Sequence, residues 1–384
     1  MIPLSVPHIS GNEWRYIKEC LDTEWVSSVG KYVDKFEEDI CDFTHAKYAV
    51  ACVNGTAALH LALQLVGVKA DDEVIVPTVT FIATANVVRY LNAHPIFMDC
   101  DDFYNIDVTK TIEFIEKETY FHNHFTRNKT TGKRVSAIIP VHVYGNAVNL
   151  EKLVSVCQER NIRIIEDAAE SLGTYYKKGI LKNRYTGTIG DIGCYSFNGN
   201  KIITTGGGGM LVTDNAEYAK KAKYFTQQAR DDEERYIHNE IGYNYRLTNL
   251  QAAMGVAQLE KLPEYIKIKE RNYKTYKKEI DKITGLHLAD IPDYAISNHW
   301  YYCLQIDDTK YGKNREQLMA YLSENKIQTR PIWHLNHLQK PYQNCQKYKI
   351  EKAYELAKKT LNIPCSVNLT KNQIDEVLDK LRKR

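Results

Sequence analysis

No run of 18 apolar residues occurs in the 384-residue sequence, so no membrane-spanning helix is expected. Neither sign of charge is in excess: 51 Lys and Arg face 48 Asp and Glu, a formal net charge of +3. That balance gives no general attraction to nucleic acid or to a membrane surface, though it leaves room for a local basic site. The nine cysteines are odd in number, widely separated and without a Cys-x-x-Cys pair, which fits neither a disulfide framework nor a zinc site. Cys52 and Cys194 lie in apolar runs and read as small core residues. His122 and His124 have no further ligands at metal-site spacing, so no metal is expected. The opening residues MIPLSVPHIS lack the basic and apolar segments of a secretory signal. The sequons at Asn54, Asn128 and Asn368 then read as chance matches, and the expected location is the cytoplasm. No G-x-G-x-x-G opens a helix after the first strand, which counts against a dinucleotide-binding fold.

What is present is a β-α alternation. Apolar strands YAVAC (48–52), EVIVP (73–77), HPIFMD (94–99), SAIIPVHVYG (136–145) and IRIIEDAA (162–169) are separated by helical patterns over 56–66, 108–118 and 150–160. Such alternation predicts a mainly parallel sheet covered by helices, with ligands gathering at the carboxyl ends of the strands. Ser10 to Glu13 reads as a capping box opening a helix that packs through Trp14, Ile17 and Leu21. Residues 120–135 read as an exposed polar loop, and DDEERYIHNE (231–240) as a charged one. A helix over 250–262 is followed by basic, tyrosine-rich sequence where strict alternation ends. A large domain over 1–262 and a smaller α+β domain over 263–384 are therefore expected, the latter with strands HWYYCLQI (299–306) and KIQTRPIW (326–333). The cations of the terminal LRKR suit the end of a helix.

The chain is organised around GDIGCYSFNGNKIITTGGGGM, residues 190–210. A strand ends in the turn Asn198-Gly199-Asn200, and Lys201 follows against Ile202 and Ile203. Four glycines then allow tight turns before a second strand. A lysine with apolar neighbours and a turn on each side has few rotamers and little water, conditions that favour a Schiff-base nucleophile. On local pattern alone, a solvated surface lysine is the better description. Strand, Asn54-Gly55 turn and helix make an anion site of free N–H groups, to which Thr56 adds a hydroxyl, although an N-cap describes Thr56 better. Asp167, at the end of a strand, reads equally as a ligand group and as the cap of a helix over AAESLG. Arg330, near Trp333 and His334, reads equally as a clamp for a carboxylate or diphosphate and as a surface residue.

SFNGNKIITTGGGGM resembles the lysine segment of the DegT/DnrJ/StrS-type nucleotide-sugar aminotransferases. Further similar segments follow in family order: NGTAAL (54–59), PTVTFIATAN (77–86), PVHVYG (140–145), EDAAESLG (166–173) and GYNYRLTNLQAA (242–253). The resemblance runs from about residue 10 to the last helix. It implies an aspartate-aminotransferase-like α/β fold (pyridoxal-phosphate fold type I) with a mostly parallel seven-stranded sheet and a smaller C-terminal α+β domain.

The resemblance also implies roles. Lys201 would carry pyridoxal 5′-phosphate and act as general base and acid. Asp167 would pair with the pyridinium nitrogen, keeping it protonated so that the ring accepts electrons. Thr56, Ala57 and Ser196 would hold the phosphate, and Phe81 would stack on the ring. Asn244 would reach the phosphate in the other subunit, making a homodimer with shared sites. Glu170 would lie beside the cofactor, where many relatives have Gln or His. Arg330 and His334 would meet the substrate. The implied reaction moves an amino group from glutamate to C4 of a UDP-linked 4-keto-6-deoxy-N-acetylhexosamine, for lipopolysaccharide or capsule synthesis. FNGNK, GGGGM and the 120–135 insertion support the UDP-sugar reading. One departure is Gly207, where many relatives have Glu. A C3-directed aminotransferase and a non-catalytic pyridoxal-phosphate-binding regulator are the alternatives. Dehydratase relatives have His at the lysine position, so Lys201 argues against dehydration.

Overall fold

The computed structural model describes residues 1–232 and 234–383. Glu233, within the charged stretch 231–240, and Arg384, within the terminal LRKR, lie outside the described residues. The main sheet has eight strands in the order Tyr48–Cys52, Gly209–Thr213, Ile192–Ser196, Arg163–Asp167, Val135–Ile138, Glu73–Pro77, His94–Met98, Lys347–Tyr348. Helices cover both faces, so strands such as Glu73–Pro77 are buried along their whole length. The expected seven strands are present, and two residues from the C-terminal part add an eighth at the edge.

Only Gly209–Thr213 runs antiparallel to its neighbours. The reason is its connection. Residues 197–208 form an irregular loop and not a crossover helix, so the chain returns beside Ile192–Ser196 in the opposite sense. This loop carries Lys201 on the carboxyl edge of the sheet. Asp167, Ser196 and the Asn54-Gly55 turn end their strands on the same edge.

Several elements depart from the sequence expectation. The helix expected over 250–262 is Asn249–Ile280, and the expected domain boundary at 263 falls inside it. Pro263 lies within it on its exposed side. The N-terminal half of this helix packs on the helices Glu13–Asp22 and Lys31–Thr44. Its other end, with Tyr276 and Ile280, enters the core beneath a four-stranded antiparallel sheet. That sheet has the order Leu286–Leu288, Tyr302–Ile306, Thr360–Ile363, Arg330–Pro331. The expected strand 326–333 is thus two residues long.

In Glu13–Asp22 the cap is Asn12, without a side-chain cap bond, and not Ser10. Gln258 donates to the buried Glu13 carboxylate on the inner face, while Trp14 and Leu21 point outward, 78% and 54% exposed. Residues 119–128 form an antiparallel hairpin and not a loop, with Thr119 opposite Asn128. Its turn residues Asn123 and His124 both have positive φ (47° and 64°), as a two-residue hairpin turn requires. The charged stretch likewise holds a short ribbon, Arg230–Asp232 against Ile237–His238.

Asp99 ties the C-terminal segment to the main sheet. Its carboxylate is buried and accepts the N–H groups of Glu351, Lys352 and Ala353 (3.0, 2.9 and 2.8 Å) and the ammonium of Lys110 (2.7 Å). It thereby caps the helix Lys352–Lys359 from a distant part of the chain. Burial pushes the Asp99 carboxyl up, but Lys110 and the N–H groups outweigh burial and hold it below the usual range. Its contribution is therefore present above about pH 4 and lost as pH falls through the depressed folded value. Asp99→Ala is expected to cost about 3 kcal/mol of stability, read as a lowered urea midpoint at pH 7. An unchanged midpoint would remove Asp99 from this role. No helix among the described residues is long and apolar enough to cross a membrane.

Candidate active site

A cavity of about 470 Å³ opens on the carboxyl edge of the main sheet. Seven of the residues expected at the site line it: Thr56, Phe81, Asp167, Glu170, Ser196, Lys201 and Arg330. Ala57, Asn244 and His334 do not. Ala57 gives its N–H to the Asn54 side chain at 2.8 Å, so Asn54, and not Thr56, is the N-cap of this helix. Among the described residues, the Gly55 and Thr56 N–H groups and the Thr56 hydroxyl have no partner at the cavity wall. Asn244 is exposed outside the cavity, its backbone bridged to Gln227. His334 is exposed, and the buried histidine nearby is His337, bonded to Thr78 (2.6 Å) and Tyr354 (2.8 Å).

The helix start lies directly against Ser196. A Cβ built on Gly55 would stand 2.9 Å from the Ser196 Cβ, so only glycine lets these two groups share one anion. Gly55→Ala is expected to weaken pyridoxal-phosphate binding about tenfold while the fold persists. The check is a titration of the cofactor-free protein with pyridoxal phosphate; equal affinity would show that this wall does not meet the phosphate.

At the other end Asp167 is buried and bonded on both oxygens. Thr84 donates its hydroxyl at 2.8 Å and Ala169 its N–H at 3.2 Å. Burial pushes its carboxyl up, against the pull of Thr84, Ala169 and Lys201. No helix follows it, since 168–174 form turns, so the capping alternative falls away. Beneath it, the ring of His142 accepts the Val148 N–H at Nδ1 (3.0 Å), which leaves the ring proton on Nε2 to be donated to Glu166 at 2.9 Å. Glu166 also takes the N–H groups of Gly187, Ile189 and Gly190 (2.8, 2.6 and 2.7 Å). This buried network fixes the strand end on which Asp167 stands.

Lys201 reaches into the cavity between an acid and a ring. Its Nζ is 3.6 Å from the Glu170 carboxylate and 4.0 Å from the centroid of the Trp300 ring. Glu170 is buried, and its other oxygen accepts the Tyr144 N–H at 2.8 Å. Burial pushes its carboxyl up to about 7, with Lys201 and the Tyr144 N–H opposing and Asp167 adding to the rise. Phe81, 56% exposed, also lines the cavity. At Gly207, the departure from the family pattern, a Cβ would stand 3.9 Å from the Gln251 amide nitrogen, to which the Gly207 carbonyl is bonded.

Sequence reasoning missed the aromatic wall. Tyr144 stacks on Trp333 (centroids 4.8 Å apart, planes at 16°) and Trp300 on Tyr301 (4.1 Å, 10°). All four line the cavity. The run HWYY read as strand, but the strand starts at Tyr302, and His299 has a φ of 53° that turns the preceding residues away from it.

Two free N–H groups and a hydroxyl beside Ser196, a buried carboxylate, an apolar ring face and an inward lysine are the donor set that pyridoxal phosphate requires. Fold and cavity define the class, a pyridoxal-phosphate-dependent aminotransferase of fold type I. The chain belongs to the DegT/DnrJ/EryC1/StrS aminotransferase family, whose model matches residues 7–382. It is 36% identical over 385 residues to GDP-perosamine synthase of Caulobacter vibrioides, covering 99% of this chain and 97% of that one. It is 37% identical over 387 residues to the putative pyridoxal phosphate-dependent aminotransferase EpsN of Bacillus subtilis (99% and 95%). The crystal structure of a DegT DnrJ EryC1 StrS aminotransferase from Brucella abortus superposes with a TM-score of 0.87 at 26% identity, over 97% of this chain and 95% of that one. The chain is accordingly a sugar aminotransferase that uses pyridoxal phosphate.

Proposed function

We propose that this enzyme transfers an amino group from glutamate to C4 of a nucleotide-diphosphate-linked 4-keto-6-deoxy sugar, for surface-glycan synthesis. The observation that carries the reading is the convergence of Lys201, Asp167 and the Gly55–Thr56 helix start on one cavity that also contains Arg330. Bound pyridoxal phosphate supplies an electron sink for the carbon that gains or loses the amino group. The chain supplies the rest. Gly55, Thr56 and Ser196 hold the phosphate, Phe81 covers the ring, and Asp167 holds a proton on the ring nitrogen. Lys201 moves a proton at its Nζ. Arg330 has no carboxylate partner among the described residues and takes the donor carboxylate or the sugar's diphosphate.

The relative named for GDP-perosamine supports a GDP-linked substrate. FNGNK, GGGGM and the 120–135 insertion favour the UDP-linked alternative, although none of residues 120–135 lines the cavity. Steady-state turnover with GDP- and UDP-linked 4-keto-6-deoxy sugars, with NMR assignment of the aminated carbon, tests both points. A kcat/KM at least about tenfold higher for the UDP-linked sugar, or an amine at C3, would contradict this reading.

The site is shared between two subunits, which explains why Asn244 stands outside its own cavity. Heterodimers mixed from Lys201→Ala and Asn244→Ala subunits are expected to hold one site with both defects and one with neither, about half the wild-type sites per dimer. No cross-subunit phosphate effect would place Asn244 in its own subunit only.

A further inference from the structure

The cradle does not account for the tryptophan beside the lysine. Trp300 donates its Nε1–H to the carbonyl of Asn200 at 2.8 Å, so the indole is pinned to the backbone next to Lys201. Its own N–H goes to the Asn298 side-chain carbonyl at 3.0 Å. The amide nitrogen of that same Asn298 donates to the carbonyls of Glu170 (2.9 Å) and Leu172 (3.0 Å). One buried amide therefore sets both groups that face the Lys201 nitrogen, the Glu170 carboxylate at 3.6 Å and the indole face at 4.0 Å. Tyr301, stacked on the indole at 4.1 Å, backs the arrangement.

We propose that Trp300 is a positioning residue for Lys201. With Glu170 it forms a two-sided holder that keeps Nζ in the cavity whenever the lysine has no covalent bond to the cofactor. The proposal rests on the reading of Lys201 as the cofactor-bearing lysine. When the donor amine displaces Lys201 from the cofactor, the C=N bond to Nζ would give way to a C=N bond to the donor nitrogen. Two protons would pass from the donor's ammonium to Nζ, which would be released as an ammonium. From then until product leaves, a flexible four-carbon stem would be free to swing toward solvent, and a displacement of about one ångström at an acid–base group is costly. An electron-rich indole face attracts the ammonium without competing for its hydrogen-bond directions. Glu170 supplies the opposing charge.

The test compares wild type, W300F and W300L as holoenzymes. Borohydride reduction and peptide mass spectrometry first locate the cofactor. Stopped-flow absorbance then follows bleaching of the visible band by glutamate, and band formation when pyridoxal phosphate is added to the cofactor-free proteins. W300L is expected to slow both saturating rates about tenfold, with half-saturating glutamate changed by less than about twofold. W300F keeps a ring face and is expected within about threefold of wild type. Label at Lys201 with an unchanged W300L rate overturns this proposal alone, as do equal losses in W300F and W300L. Label absent from Lys201 in the wild type overturns the lysine assignment and the proposal together. Should W300L not fold, W300F, E170Q and the double variant carry the test. Both changes act on one nitrogen, so their effects should combine to less than their product, and a simple product contradicts the proposal.

Discussion

Lys201→Ala is expected to bind pyridoxal phosphate yet turn over at least about 10⁴-fold more slowly than wild type, with no visible band from a lysine-linked cofactor. The substitution removes the cation that faces Glu170 at 3.6 Å, but it leaves the cradle at Gly55, Thr56 and Ser196 intact. Glu170 tolerates the loss. Burial already pushes its carboxyl up to about 7, so without Lys201 it takes a proton and stays neutral at the working pH. The melting temperature is therefore expected to change by no more than a few degrees, which separates lost chemistry from lost fold. A steady-state assay with glutamate and the keto-sugar reads the effect. Transamination retained at more than a few per cent would remove Lys201 from the mechanism.

Asp167→Asn is expected to keep the cofactor and lose speed, by about 10³-fold in kcat, or ~4 kcal/mol at 1.36 kcal/mol per decade. The side chain is buried against Thr84 and Ala169, both of which donate to it. An amide fits the same space and keeps both partners, its oxygen accepting the Ala169 N–H and its NH2 donating to the Thr84 hydroxyl, but it cannot stabilise a positive charge. The ring nitrogen therefore loses its anionic partner while the local packing persists. Cofactor content measured by absorbance after denaturation should remain near wild type, because other residues, Gly55, Thr56 and Ser196, hold the phosphate. Near-normal rates at full occupancy would reject the pyridinium role of Asp167.

What the sequence made legible is the carboxyl edge of the main sheet. Runs such as EVIVP, IRIIED and IGCYS are strands because they are buried on both faces, and burial on both faces leaves an unbroken apolar signature. Thr56, Phe81, Asp167, Ser196 and Lys201 follow directly on such strands or on the helices after them, so placing the strands placed these residues together. The aromatic wall was hidden for a local reason. HWYY has the composition of a strand, and only the left-handed backbone of His299, which nothing in a histidine announces, turns Trp300 into the cavity. The hairpin at 119–128 was hidden in the same way, since Asn123 and His124 form its turn without the glycine that usually marks one. Tertiary partners were not legible at all. Asp99 capping a helix more than 250 residues away, and Glu166 gathering three N–H groups around the base of Asp167, leave no trace in local spacing.

The measurement that bears most directly on the account is the visible absorption spectrum of the purified protein with pyridoxal phosphate, taken before and after glutamate is added. The account predicts a band that glutamate bleaches and that returns only when a nucleotide-linked 4-keto-6-deoxy sugar is supplied, with neither change in Lys201→Ala. A wild-type protein that forms no band with pyridoxal phosphate, or one whose Lys201→Ala variant forms the same band, would contradict it.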